Sequence, residues 1–172
     1  MTIVIRLANA TEIDEILEVE HLAGQRFHEY GIGLPEDEED DVGIEFGEEY
    51  QDGIEHERLW VAVTPSQQIV GFALAQEVDK EGHLREIDVL PDYGRKGIGQ
   101  ALINTIVTWC TKQGYDSLSL TTFRDVPWNR PYYEKLGFQI IQDSDLSGNL
   151  KTMIEEEREI SPHERVPMRK ML

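Results

Sequence analysis

The stretch Glu86-Ile-Asp-Val-Leu-Pro-Asp-Tyr-Gly-Arg-Lys-Gly-Ile-Gly99 decides how the rest of this chain is read. It is an apolar strand that stops at Pro91, then a basic glycine-rich turn, then an immediate helix start. That order gathers free backbone N–H groups at one point, backed by the helix macrodipole, and such a point binds an anion, most naturally a phosphate. A side chain at Gly97 or Gly99 would hold a pyrophosphate away from the backbone or forbid the dihedrals of the turn. Arg95 and Lys96 add positive charge to a chain whose formal charge is −18.

Two familiar phosphate loops are excluded by spacing. The P-loop requires G-x-x-x-x-G-K-[ST], and here Gly99 is followed by Gln100 and Ala101. The dinucleotide fingerprint requires G-x-G-x-x-G, whereas these glycines fall at 94, 97 and 99, the reverse order.

Working downstream, Ile98, Ala101, Leu102, Thr105, Ile106 and Trp109 recur at helical spacing, with Gly114 as the stop. Asp116 to Phe123 is a strand, and Tyr132 to Leu136 a short helix broken by Gly137. Phe138 to Ile141 and Val166 to Leu172 are further strands. Met153 to Ile160 between them is acidic and reads as either a helix or an extended insertion. Upstream, His83 to Leu90 is the strand that enters the turn. Leu59 to Thr64 and Ile69 to Val78 form a hairpin through Pro65-Ser66. Ile3, Ile5 and Leu7 alternate as a first strand. Thr11 with Asp14 reads as a capping box ahead of Ile13, Ile16 and Leu17. The acidic tract 36–41, bracketed by glycines and a proline, reads as a solvated, mobile segment. Its carboxylates are contiguous and unaccompanied by histidine, which argues against a metal site, and no calcium-loop pattern is present. The element order, β-α-(α)-β-β-β-α-β-α-β-β with the second helix optional, predicts an α/β fold: one domain over 1–172, with a mixed, mostly antiparallel twisted sheet and helices on both faces.

Composition narrows the function. A chain of 172 residues can bury a core as a single domain. No apolar run approaches the roughly 20 residues that span a bilayer. The N-terminal residues lack the features of a signal peptide. Cys110 stands alone within an apolar helical pattern, so it reads as core, and a reducing cytoplasm is expected. The acidic balance argues against nucleic acid as a partner and is compatible with cationic substrates.

With the turn in place, a second segment completes a resemblance: Trp128-Asn-Arg-Pro-Tyr-Tyr-Glu-Lys-Leu-Gly-Phe138. The chain resembles the GNAT superfamily of acyl-CoA-dependent N-acetyltransferases. The strand–Pro–basic turn–Gly97-Ile98-Gly99–helix is similar to its [Q/R]-x-x-G-x-[G/A] signature, and the second segment to its Y-E-K-x-G-F motif. The two motifs stand about forty residues apart, with a helix and a strand between them, and the element order agrees over nearly the whole chain.

The resemblance implies that acetyl-CoA lies where the strand ending at Leu90 splays from the one ending at Phe123. The backbone of Ile87, Asp88 and Val89 would face the pantetheine and acetyl carbonyl, where a donor stabilises a developing oxyanion. The amides of Arg95, Lys96, Gly97, Ile98, Gly99 and Gln100 would hold the pyrophosphate. Tyr133 matches the position of a general acid, since a phenol stays protonated at neutral pH and can supply a proton to the CoA thiolate. The acceptor is an amine, on a small molecule or a protein, and must shed a proton. Glu86, His83 or water alone are the open choices of base, Glu86 and His83 lying on opposite faces of their strand. The chain departs from the family pattern at two points. Gly94 stands where Gln or Arg is usual, and Asn129, the candidate cofactor-facing asparagine, precedes Tyr133 by four residues rather than seven. Trp60 and Trp128 can line an acceptor pocket or pack in the core. The acceptor would be recognised by the segment Ala23 to Asp52, acidic tract included, and His21, His28 and His56, in or near it, read as surface residues. No metal is expected; a homodimer is compatible with the sequence without being specified by it. The alternative reading is a CoA-binding interaction module without turnover.

Overall fold

The computed structural model describes residues 2–32, 39–146, 148–160 and 163–172, with the side chains of 39–46 and 160 set aside. Among the described residues seven strands form one sheet: β1 (Val4–Leu7), β2 (Leu59–Val63), β3 (Ile69–Val78), β4 (Glu81–Val89), β5 (Ser117–Phe123), β6 (Gln139–Ile140) and β7 (Arg165–Met171). Their spatial order is β1-β2-β3-β4-β5-β7-β6. The pairs β1–β2, β2–β3, β5–β7 and β6–β7 are antiparallel, while β4 and β5 run parallel through Gly82–Leu84 and Leu118–Leu120. The expected mixed, mostly antiparallel sheet is therefore present. Five α-helices accompany it among the described residues: α1 (Ile13–Gly24), α2 (Glu39–Glu55), α3 (Ile98–Gln113), α4 (Asn129–Lys135) and α5 (Gly148–Ile160).

The chain divides into two compact units, Met1–Ala75 with Glu86–Thr105, and Gln76–Arg85 with Ile106–Leu172. In the first unit, α1 buries Ile16 and Val19, which meet Tyr50 of α2 and Leu59, Val61, Phe72 and Leu74 of β2 and β3. Every residue of β2 is buried, as expected of a strand covered on both faces. In the second, Val78, Ile141 and Leu146 pack on Leu150 and Ile154 of α5.

Several sequence expectations are corrected. The capping box is formed by Asn9 and Glu12, not Thr11 and Asp14. Asn9 accepts from Thr11 N at 3.2 Å while Glu12 Oε2 accepts from Asn9 N at 3.0 Å, because a 3₁₀ turn over Ala10–Glu12 precedes α1 and moves the cap upstream. The acidic tract is not a loop throughout. Residues 36–38 lie outside the described residues, but from Glu39 onward the backbone is helical. Gly43, Gly47 and Gly53 weaken the helical signal of α2. Tertiary packing overrides it: Tyr50 is fully buried, and Gly53 lies where a Cβ would strike Leu74. The buried face of α3 is Ile98, Leu102, Ile103, Ile106 and Cys110, so Ala101 and Thr105, expected on that face, lie off it. The acidic segment at 153–160 is helical, as part of α5.

Candidate active site

β4 enters the turn as the sequence predicts. Leu90, held extended by the following proline (φ −49°, ψ 139°), donates from N to Val70 O at 3.0 Å, and Pro91 opens a single 3₁₀ turn to Tyr93. Gly94 is extended at φ −60°. Arg95 then adopts the left-handed region at φ +58°, and Gly97 follows at +82°. Gly99 lies in the first turn of α3 without a positive φ, so its contribution is small size rather than backbone freedom. The sequence placed the special backbone at the glycines. Arg95 also carries one, at a cost of roughly 1–2 kcal/mol that the surrounding turn must offset.

The first hydrogen bond of α3 runs from Ala101 N to Gly97 O at 3.0 Å. The amides of Ile98, Gly99 and Gln100 therefore lack intrahelical acceptors, and among the described residues none takes another acceptor. These three donors, at the positive end of a 16-residue helix, fit an anion such as a pyrophosphate. Lys96 is engaged locally: its Nζ donates to Asp92 O at 2.8 Å and lies 5.0 Å from the Tyr93 ring centroid. Arg95 is exposed on the same turn.

On β4, Ile87 and Val89 are half-buried and Asp88 is buried. Arg26 Nη2, just past α1, stands 3.5 Å from Asp88 Oδ1. Burial, then Glu86, push the Asp88 carboxyl well above the usual range, against the pull of Arg26. Glu86 is half-buried on the same strand face as Asp88. Tyr50 donates its phenolic hydrogen to Glu20 Oε2 at 2.7 Å, and its own acidity is suppressed by burial, then by Glu20, Glu86 and Asp88. Glu20, Arg26 and Tyr50 were not singled out from the sequence. Their signal was weak: Tyr50 lies in a glycine-interrupted helix, and Glu20 and Arg26 resemble ordinary surface charges.

In the second unit, His83 is 1% exposed and its Nδ1 lies 2.9 Å from Ser119 Oγ. Since Ser119 donates to Gly82 O at 3.3 Å, its oxygen accepts from the His83 ring. Burial, with a smaller push from Arg85, lowers His83 to about 3, so the imidazole is neutral at physiological pH. Asn129 and Tyr133 are both buried on α4. The Tyr133 ring stands edge-on to Tyr132 and Phe138, with centroids 5.2 and 5.9 Å away. Trp60 is buried and Trp128 half-buried, while His21, His28 and His56 are exposed. Cys110 is buried beneath Gly82, and burial raises its thiol to about 11, fitting its reading as core. A cavity of about 320 Å³, bordered by Asp79, Glu81, Ser117 and Arg169, contains none of the predicted residues. Within it Glu81 meets Arg169 twice at 2.8 Å and Ser117 at 2.6 Å. Among the described residues no helix is long and apolar enough to cross a membrane, and no group of three or more His, Cys, Asp or Glu is placed to hold a metal.

Comparison with known proteins bears on the fold and the family. The chain is 36% identical over 73 residues to the [ribosomal protein bS18]-alanine N-acetyltransferase of Haemophilus influenzae, a match covering 42% of this chain and 49% of that protein. It spans about half the length of the curated relatives it matches. The fold is similar to the PaiA N-acetyltransferase of Thermoplasma acidophilum in complex with coenzyme A, with TM-score 0.75, 18% identity and complete coverage of both chains. It is also similar to the ribosomal-protein-S18-alanine N-acetyltransferase of Escherichia coli, with TM-score 0.67, 17% identity and coverage of 99% and 94%. Residues 16–138 match the Acetyltransferase (GNAT) family, and the chain belongs to that family.

Proposed function

We propose that residues 1–172 form one N-acetyltransferase domain that moves an acetyl group from acetyl-CoA to a primary amine by direct attack. The reading is carried by the turn after β4, where a left-handed pair at Arg95 and Gly97 precedes three amides left without chain acceptors at Ile98, Gly99 and Gln100. Acetyl-CoA would supply an activated thioester and a thiolate leaving group.

The residues of the chain divide the work. The amides of 95–100 hold the pyrophosphate, and Arg95 adds a neighbouring positive charge. The backbone of Ile87 to Val89 lines the acyl arm and presents an N–H toward developing negative charge on the carbonyl oxygen. Asn129 supports the cofactor from α4. Tyr133 delivers the proton that the leaving sulfur needs, since a phenol holds its proton at neutral pH. An alkylammonium is only about 0.1% neutral at pH 7, a handicap near 4 kcal/mol, so an acceptor must lose a proton to a base. Glu86 is that base, directly or through water. His83 is set aside because its ring is sealed from solvent and bonded to Ser119. The acceptor is an amine on a small molecule or a protein. The bS18-alanine relatives make a peptide with an N-terminal alanine a natural member of any test panel. A buried lone cysteine suits a reducing compartment such as the cytoplasm.

The test is a panel of amines and N-terminal peptides incubated with acetyl-CoA, with thiol release recorded beside calorimetry of CoA binding. Turnover that falls about 100-fold or more in Tyr133→Phe with CoA affinity kept would support the acid role. Tight CoA binding with no amine acetylated points instead to a non-catalytic module. An absence of CoA binding refutes the whole reading.

A further inference from the structure

The last residues of β5 lose one of their strand neighbours. β4 pairs with β5 from Gly82 to Leu84, opposite Leu118 to Leu120, whereas β7 stays paired with β5 as far as Phe123. Thr121, Thr122 and Phe123 therefore have β7 on one side and, among the described residues, no paired strand on the other. Side chains alternate across this segment. Leu118 is on the α3 face, since its side chain and Cys110 of α3 both border Gly82. Lys170, paired with Leu118, donates from Nζ to Leu136 O at 2.7 Å, just past the end of α4, so α4 lies on that face too. Thr121 is on the opposite face, where its Oγ1 donates to Glu157 Oε1 of α5 at 3.2 Å.

Two side-chain oxygens beside this strand end, Thr122 Oγ1 and Glu157 Oε2, are buried without a hydrogen-bond partner among the described residues. Native interiors leave few such atoms, and each calls for a partner. Thr122 is 3% exposed and closed off, whereas Glu157 is half-buried on the helix surface and within reach of a ligand. The neighbouring cations of α5 are turned to other acids, Lys151 to Glu155 at 3.8 Å and Arg158 to Asp143 at 2.9 Å. A neutral N–H would satisfy the hydrogen bond that Glu157 Oε2 lacks. An ammonium supplies that bond and also a charge opposite to the glutamates at 155, 156, 157 and 159.

On the acetyl-transfer reading, the acyl arm enters where β5 loses β4, and Tyr133 serves it from α4. An attacking amine and a departing thiolate occupy different positions around the carbonyl carbon, so the face away from α4 is open to the acceptor. We propose that Glu157 is a specificity-determining residue for the amine acceptor: its carboxylate, held at one oxygen by Thr121, receives the acceptor's ammonium at the other. The role in turnover rests on the acetyl-transfer reading, whereas the binding test stands apart from it. Glu157 anchors the amine, and the proton leaves to a separate base.

The experiment titrates alaninamide, a primary ammonium without a carboxylate, into the full chain by calorimetry, with no acetyl-CoA present. Glu157→Gln keeps an oxygen for Thr121 and puts an N–H₂ donor where the ammonium would bind, so affinity should fall about tenfold or more. Thr121→Val, which frees the carboxylate to wander, should weaken binding about two- to fivefold. Glu156→Gln removes the same charge from an exposed neighbour and should change nothing. CoA affinity should be equal in all four proteins, and Tm should stay within about 2 °C. In turnover, Glu157→Gln should raise KM for alaninamide but not for aniline, which is neutral at physiological pH, with kcat kept within about twofold. Absence of alaninamide binding by the wild type, equal binding by Glu157→Gln, or an equal loss in Glu156→Gln overturns the proposal. A fall in kcat with KM kept also overturns it, because Glu157 would then be the base and not the anchor. Should Glu157→Gln fail to fold, Thr121→Val decides alone. Should the wild type bind CoA and alaninamide, the latter through Glu157, yet acetylate nothing, the acetyl-transfer reading fails while the subsite stands.

Discussion

Gly97→Ala tests the main-chain cradle most directly. Gly97 sits at φ +82° immediately before α3, and a Cβ built there meets no atom within 4 Å. A clash therefore contributes nothing, and the whole penalty is the left-handed backbone, about 1–2 kcal/mol for an alanine. Where that penalty appears depends on whether the loop can relax. A loop that keeps its shape carries the strain in the free protein, and Tm falls by about 2–8 °C at 2–4 °C per kcal/mol for a chain of this size. A loop that relaxes to negative φ turns the amides of Ile98, Gly99 and Gln100 away, and the strain is met only on binding. Kd for CoA then rises about five- to thirtyfold. Differential scanning fluorimetry and calorimetry on one preparation measure both, and the two losses together should reach about 1–2 kcal/mol. Gly94→Ala is the control: φ −60° suits any residue, and its Cβ would lie 3.2 Å from Pro91 O, so only a slight adjustment is needed. Unchanged Tm and unchanged Kd in Gly97→Ala would refute both the strained turn and the amide cradle.

Other outcomes follow from the same geometry. Asp79 caps α5 from the β3–β4 turn, accepting from Leu150 N at 2.8 Å, so Asp79→Ala should lower urea stability by about 0.5–2 kcal/mol. The backbone amides of Leu150 and Asn149 depress that carboxyl, so its contribution is present above the ordinary carboxylate range near pH 4 and lost as pH falls through the lower folded value. Neutral His83 has its folded value lowered to about 3, so the folded state binds fewer protons. Its share of stability is full above about pH 6.5 and shrinks as pH falls toward 3, by about 2 kcal/mol between pH 7.5 and pH 5. Urea melts of His83→Gln should show a pH difference smaller by about that amount, and an equal difference would mean that His83 charges freely in place. With a formal charge of −18, the chain should repel polyanionic CoA at long range, so stopped-flow association should quicken as salt rises from about 0.05 to 0.5 M. Slowing would mean that the basic turn governs the encounter.

What could be read from the sequence follows the range of the forces involved. The turn after β4 was legible because Pro91 and Gly97 impose dihedrals on themselves and their neighbours, with no help from distant residues. The strands β2 and β3 were legible because their apolar runs are long and uninterrupted. α2 was legible only as an optional second helix, since three glycines and an acidic start argue locally against a helix that Tyr50 and the Gly53–Leu74 approach enforce from outside. The left-handed Arg95 was missed because an arginine carries no local preference for that region. Arg26 and Asp88 are 62 positions apart, and nothing in one sequence links a surface arginine to a strand aspartate. His83 illustrates the converse. Its residue type suggested a base, and only its packing beside Ser119 reveals a neutral ring sealed from water.

The same division explains how so acidic a chain can serve an anionic cosubstrate. Net charge acts through a field that salt screens within about 8–10 Å, whereas a row of main-chain amides acts at contact distance. The cradle therefore needs little side-chain charge. Lys96 is turned back onto Asp92 and Tyr93, and both it and Arg95 are exposed at the turn. Recognition of the phosphate can rest on backbone geometry, which tolerates nearly any surface composition. Recognition of a cationic amine gains from carboxylates, and Glu20, Glu86 and Asp88 lie on α1 and β4, in the unit that also carries the turn. An acidic surface is thus no obstacle to the first task and an asset to the second. On the proposed reading, the opposing charges of the two substrates would be accommodated by different chemistry, one by peptide groups and the other by side chains.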